Sequence, residues 1–389
     1  EAARAGPARG GATQVSVEAE NPLQGVRFAP LTAPGPSGCR PEHLKEMLGV
    51  RKRSVANRLL RLLARFAEQA LAGSLPPVAR WILGSNVTFL EKPETDTPRP
   101  IRSGEWLRKL AGKKGLQRHR KRIINLMVSL AQYGVAIPGG AEALFHASDA
   151  IETLAASGAM GPIAVVDVDL VNCFGSLEWD AIVEAYDKLL PEMSSWERWV
   201  TAESGEARLQ CGDTVEVDRG AGQGEPDGPL KTAVALGSAT KKAKAMPNSA
   251  LASENVDFWF LDDGRFVTRP QRVDAALRCL DACLNEVGAT RGSRSTHAKI
   301  KSVVRVFCPP ERLHEIEGWD TAYVRETCRI AQLDEPLRYL GGILGSNEQV
   351  AAAFGATCSK VDALHSSIEQ VEDAATELAT SVGAHPAHV

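Results

Sequence analysis

The chain has 389 residues, 44% hydrophobic and 24% charged, with a formal net charge of −3. These are ordinary globular proportions, sufficient for one large domain or two or three small ones, and they exclude a polybasic chain that coats nucleic acid indiscriminately. No apolar run is long enough to span a bilayer and no charged-then-apolar leader opens the chain, so no membrane association is expected, and an intracellular protein, nuclear or cytoplasmic and not secreted, is. Its eight cysteines scatter without a Cys-x-x-Cys pair or histidines at zinc spacing, which fits reduced thiols. The chain opens at Glu1 rather than Met, as a fragment would.

Residues 1–24 are rich in Ala, Gly and Arg without periodicity and read as a disordered lead-in. Ala33–Leu44 is a Pro/Gly turn cluster running into a helix start. From Ser54 to about Ala72, Leu59, Leu60, Leu62, Leu63, Phe66, Ala67, Ala70 and Leu71 recur at helical spacing, and Gly73 and Pro76 end the run. Val87–Lys92 reads as a strand, followed by a Pro-rich turn and Arg99–Arg102. Then come Arg108, Lys109, Lys113, Lys114, Arg118, Arg120, Lys121 and Arg122 with no acidic residue among them, the strongest electrostatic footprint for a phosphate backbone in the chain. Ala131–Val135 and Gly139–Leu144 lead into a helix to about Ala156.

Ile163–Phe174 is an apolar run that reads as a buried strand carrying Asp167 and Asp169. Side chains two apart on a strand share a face, and ionised carboxylates on such a face need a cation. After a return helix, Trp179–Leu190, a hairpin at Ala207–Val217 delivers the chain to the glycine-rich Gly220–Pro226, and Pro229 is placed to begin the next helix. Lys241–Asn255 is polar and reads as a loop. Val256–Val267 is a hairpin signature with Asp262 and Asp263 at its tip and Asp263-Gly264 supplying the turn. Placed beside Asp169, this tip would make a three-carboxylate oxygen site of the kind Mg²⁺ prefers when it also holds phosphates. Two such ions would clamp both oxygens of an in-line phosphoryl transfer. Val273–Val287 marks a helix ending at Gly288, Lys299–Phe307 an alternating strand, and Val361, Leu364, Ile368, Val371, Ala375, Leu378 and Val382 a final helix with a narrow apolar stripe.

Three segments in order resemble the reverse transcriptase of non-LTR (LINE-type) retrotransposons: Asp169–Phe174 the first catalytic motif, Gly220–Leu230 the glycine-rich template motif, and Phe260-Leu-Asp-Asp263 the aromatic-x-Asp-Asp box. The resemblance implies an α/β (α+β) right-hand polymerase core: fingers over residues 25–160, a palm over 161–345 with an antiparallel sheet backed by helices, and a short thumb-like helical tail over 346–389. It implies RNA-directed DNA synthesis on an RNA template and DNA primer from dNTPs. Asp169, Asp262 and Asp263 would serve two Mg²⁺ ions, with Mn²⁺ as an alternative, and Asp167 is left either as another ligand or as a loop residue. Lys92 and Arg99 match the positions that hold the incoming triphosphate, Phe174 the sugar gate, Gln223 and Gly224 the template loop. Lys301, or else Lys299, matches the lysine that protonates pyrophosphate, and Leu337–Leu344 the hairpin that grips the primer. The sequence departs from the family pattern at Glu225, where Asp is usual, at Asp227, where an apolar residue is usual, in the polar Lys241–Asn255 segment, and at Leu261, where a small residue is commoner. Two rivals stand beside this reading: a decayed or domesticated retroelement protein that binds RNA without polymerising, and a group II intron-type polymerase.

Overall fold

The chain is a mixed α/β protein in a computed structural model that describes residues 26–29, 31–49, 53–92, 95–203, 205–246, 251, 256–296 and 300–369, with side chains throughout except at 92, 95–97, 364–365 and 367–369. In chain order the strands are β1 (Ser85–Lys92), β2 (Thr95–Gly104), β3 (Ile163–Val168), β4 (Gly205–Arg208), β5 (Thr214–Val217), β6 (Asp257–Phe260), β7 (Asp263–Thr268), β8 (Val303–Phe307), β9 (Arg329–Ile330), β10 (Leu337–Tyr339) and β11 (Gly342–Leu344). The expected lead-in at 1–24 lies outside the described residues.

Two compact units result, one running to Arg118 and including Ser195–Glu216, the other comprising His119–Ser194 and the chain from Val217 onward. The physical reason is strand pairing: β4 adds to β1, and Gln132 bridges to Trp259 of β6.

In the first unit the sheet order is β2-β1-β4-β5. β1 and β2 form a long antiparallel hairpin from Ser85 opposite Gly104 to Lys92 opposite Thr95, so the strand resumes at Thr95 where a longer Pro-rich turn was expected. Pro98 and Pro100 are tolerated because β2 is an edge strand, where a missing N–H leaves no ladder bond unmade. The periodic segment forms the helix Arg53–Leu71, which buries Leu63, Ala67 and Ala70; Leu63 packs with Leu44, Trp106 and Leu110. Ser37, in the Pro/Gly cluster, donates its N–H and its hydroxyl to the two oxygens of buried Glu105 at 2.7 and 2.8 Å, which ties the cluster down.

The second unit carries a five-stranded sheet in the order β6-β7-β3-β8-β9, antiparallel except where β9 runs parallel to β8. The helix Gly140–Ala156 covers one face, with Ala155 and Ile151 against Ile163, Val165, Val267 and Phe307. β8 does not alternate as expected: Val303, Val304, Arg305 and Phe307 are all buried, as happens to a strand covered on both faces.

Three further expectations change. The strand at Ile163–Phe174 ends at Val168; Asn172 takes a left-handed φ of 44° and Cys173 opens a short helix. Lys241–Lys244 belongs to the helix Gly228–Ala245 rather than a loop, since Ala and Lys favour helices and cations suit a helix C-terminus. There Lys242 pairs with Glu286 at 2.5 Å and Lys244 with Asp257 at 2.6 Å. The final helix, Asn347–Glu369, begins well before the apolar stripe, most of which lies outside the described side chains. β10 and β11 form the expected hairpin, turned by Leu340 and Gly341 at φ 47° and 87°, a pattern of positive φ matching a two-residue turn of the primed type.

Candidate active site

Strand pairing brings the acidic residues together. In the antiparallel pair of β3 and β7, Asp167 faces Arg265 and Val168 faces Gly264. Asp169 follows Val168 and Asp263 precedes Gly264, so the two flank the last registered pair, and the charges of Asp169 and Asp262 both bear on Asp263. Asp262 lies in the adjoining turn between β6 and β7.

That turn differs from the expected one. Phe260 pairs with Asp263, so the turn residues are Leu261 and Asp262, and Gly264 lies within β7. Gly264 is needed there because a Cβ would come within 2.5 Å of the Trp259 ring on the opposing strand. Leu261 takes a left-handed φ of 58°, a conformation unfavourable for a branched side chain. Gln132, 1% exposed, clamps it: its carbonyl oxygen accepts from the Leu261 N–H at 2.7 Å and its amide donates to the Leu261 carbonyl at 3.1 Å. Gly134 lets the clamp close, since a Cβ there would meet the Leu261 nitrogen at 2.7 Å.

The electrostatics follow from this crowding. The Asp263 carboxyl is pushed up to about 7, first by the protein packed around it and then by the negative charge of Asp262, Asp169 and Asp167, with Lys301 pulling the other way. Water still reaches its outer edge. Burial, and then Asp262 and Asp169, also hold the Cys173 thiol far above its ordinary range, so both carboxylates act on one atom. The Asp169 N–H donates to the Ser302 hydroxyl at 3.1 Å, and its carboxylate meets the Lys301 ammonium at 3.5 Å. Lys299 lies outside the described residues. Asp167 is not a loop residue: it lies in β3, where both arms of Arg265 bind its carboxylate.

The donor chemistry fits a hard divalent cation: oxygen only, carboxylate-rich, and carrying negative charge that its neighbours offset only in part. Among the described residues, however, no three His, Cys, Asp or Glu side chains already stand at metal-binding spacing.

The glycine-rich loop packs against the first motif. The Ala221 N–H donates to the Phe174 carbonyl at 2.7 Å, and a Cβ at Gly220, whose φ is 87°, would approach that oxygen to 2.9 Å. Phe174 and Gln223 are half-buried, and Gly224 is exposed with φ 105°. Glu225 and Asp227 are both 3% exposed, and Asp227 pairs with Lys231 one helical turn on, at 3.5 Å. The second departure from the family pattern thus comes with its own cation.

The structure turns part of the basic stretch inward. Arg108, Lys109 and Lys114 are buried; Arg108 donates to the Leu83 carbonyl at 3.1 Å and Lys109 to that of Ala33 at 3.3 Å. Lys113 donates to the Arg27 carbonyl at 2.8 Å and lies over the Phe28 ring, and Arg118 forks onto Glu68. Arg122 bonds the Leu189 carbonyl at 2.8 Å and pairs with Glu192. Arg118, Arg120, Lys121 and Arg122 are all exposed, as is Arg99 in β2, while the Lys92 side chain lies outside the described ones. Long basic stems satisfy backbone carbonyls here, and carbonyl partners leave no pattern in a sequence. Gln132 was not singled out from the sequence either; its position two residues before Gly134 in Ala131–Val135 was the available signal.

No protein-family model and no curated protein matches the chain. Among solved structures, it is similar to apo telomerase from Candida tropicalis truncated from its C-terminal domain, at 11% sequence identity and a TM-score of 0.40, over 59% of this chain and 52% of that one. The chain thus spans about half the length of that structure.

Proposed function

We propose that the chain is the core of an RNA-directed DNA polymerase of the non-LTR retrotransposon type, which extends a DNA primer along an RNA template. One observation carries the reading: the β3–β7 register that sets Asp169 beside the Asp262–Asp263 turn, in line with the motif order of the family it resembles. Asp169 and Asp262 would hold two Mg²⁺ ions, or Mn²⁺ in their place, with Asp263 as a supporting carboxylate. When bound, such ions neutralise charge on the triphosphate and on the attacking oxygen.

The chain's own residues supply position. Phe174, fixed through its backbone against Gly220 and Ala221, would press its ring toward the sugar and reject a 2′-hydroxyl. Gln223 and Gly224 would lie along the template and the incoming base. Lys301, already drawn to Asp169, would give its proton to departing pyrophosphate as the primer 3′-hydroxyl attacks the α-phosphate. Arg118, Arg120, Lys121 and Arg122 are the exposed members of the basic stretch and would be the ones to meet a phosphate backbone. The triphosphate roles of Lys92 and Arg99 rest on the family resemblance.

A second reading, a retroelement protein that binds RNA without polymerising, draws support from Lys301 sitting on Asp169 and from the absence of a ready three-residue metal cluster among the described residues. Primer extension on an RNA template with Mg²⁺ separates the two, with Asp262→Ala as control. Extension that Asp262→Ala abolishes supports the polymerase. RNA binding without extension supports the rival.

A further inference from the structure

Asp167 has no part in the proposed reaction, yet it anchors a buried chain of ions. Arg265, 1% exposed, donates from Nε to one Asp167 oxygen at 2.5 Å and from a terminal nitrogen to the other at 2.8 Å. Its remaining nitrogen reaches Glu152 at 3.1 Å, and the second Glu152 oxygen accepts from Arg305 at 2.6 Å. Arg305 also donates to the Glu335 carbonyl, and the Tyr339 ring lies 4.1 Å from the Arg265 guanidinium. Two guanidiniums and two carboxylates balance. They join β3, β7, β8 and the helix Gly140–Ala156 into one charge-neutral network.

The register shows what this network does. Cross-strand pairs on one face recur every second residue, so the pair Asp167–Arg265 is the neighbour, about 7 Å along the strands, of the carboxylate pair Asp169 and Asp263 that flanks the last registered pair, Val168–Gly264, and both Asp167 and Asp169 bear on Asp263. The first pair attracts and the second repels. A slip of β7 by one residue would send every side chain to the opposite face and scatter the carboxylates. Well-packed apolar residues in place of a buried ion network are often as stabilising, or more so, whereas fixing a register is the best-attested use of buried ions. The planar fork of Arg265 also admits only a narrow range of approach to Asp167.

We propose that Asp167, Arg265, Glu152 and Arg305 are positioning residues that lock the β3–β7 register and so hold Asp169 beside the Asp262–Asp263 turn. This rests on reading that turn as a divalent-cation site. The test is Mn²⁺ titration of the full chain, with free ion read by electron paramagnetic resonance, for the unaltered protein, Asp262→Ala, Asp167→Asn and Arg265→Lys. Arg265→Lys keeps the charge and loses the fork; Asp167→Asn keeps one acceptor, and it decides the matter if the lysine variant does not fold. At a temperature where circular dichroism reports full folding, both variants weaken Mn²⁺ binding about 10- to 100-fold. Amide exchange at 260–265 also accelerates relative to 303–307, a local change that loss of global stability alone would not give. Asp262-dependent binding of unchanged affinity in the folded variants overturns this inference alone. Binding indifferent to Asp262 overturns the proposed function, and this inference with it.

Discussion

Gln132→Ala removes the clamp on the carboxylate turn. Gln132 makes two hydrogen bonds to the Leu261 backbone, at 2.7 and 3.1 Å, and accepts a third from the Gly134 N–H at 3.3 Å. Each backbone group left without its partner costs about 1–3 kcal/mol if water cannot replace it. The left-handed Leu261 adds strain of about 1–2 kcal/mol that the clamp now offsets. Because Leu261 is half-exposed and water recovers part of the loss, the net cost is about 2–4 kcal/mol, or roughly 30- to 900-fold faster amide exchange around Tyr133, Trp259 and Leu261. Leu261→Gly provides the cross-check, since glycine adopts this φ without strain. The clamp then matters less, so the double variant Gln132→Ala/Leu261→Gly should be measurably more stable than the sum of the single effects. Exchange changed by less than about threefold, or strict additivity in the double variant, would refute the reasoning.

In metal-free buffer, Asp263 makes stability depend on pH. Its folded-state value of about 7 lies above the ordinary 3.8, so its contribution is fully present below about pH 4 and is lost as pH rises through 7. Asp263→Asn, which cannot ionise, should therefore gain in melting temperature relative to the unaltered protein between pH 4 and pH 8, and a constant difference would contradict this. Gly264→Ala forces a Cβ to within 2.5 Å of the Trp259 ring and should cost about 1–3 kcal/mol, seen as a lower denaturation midpoint and altered tryptophan fluorescence. Phe174→Ala, in a primer-extension assay, should lower discrimination against ribonucleoside triphosphates by about tenfold or more. Unchanged discrimination would remove the gate from Phe174.

Much of this site is legible in the chain because its signals are local. The apolar run from Ile163 announces β3, and the two aromatic and β-branched runs around Asp262 announce the β6–β7 hairpin. The error within that hairpin is instructive. Asp-Gly is a strong turn signal, but Gly264 is glycine because the Trp259 ring lies against it, so the turn falls two residues earlier, on Leu261 and Asp262. The inward turn of Arg108 and Lys109 was not legible either, since charge along a helix reveals nothing of the carbonyls at Leu83 and Ala33 that receive it. Asp167 read as either an alternative ligand or a loop residue because its partner lies 98 residues away in the chain, and only the register shows Arg265 facing it.

The central claim is that carboxylates from β3 and from the β6–β7 turn share the same divalent ions. Calorimetric titration of Mg²⁺ into the folded protein, Asp169→Asn and Asp262→Asn tests it most directly. Each substitution alone should abolish the same binding event, because neither segment suffices without the other. Mg²⁺ binding that survives either substitution, or that is absent from the unaltered protein, would contradict the account.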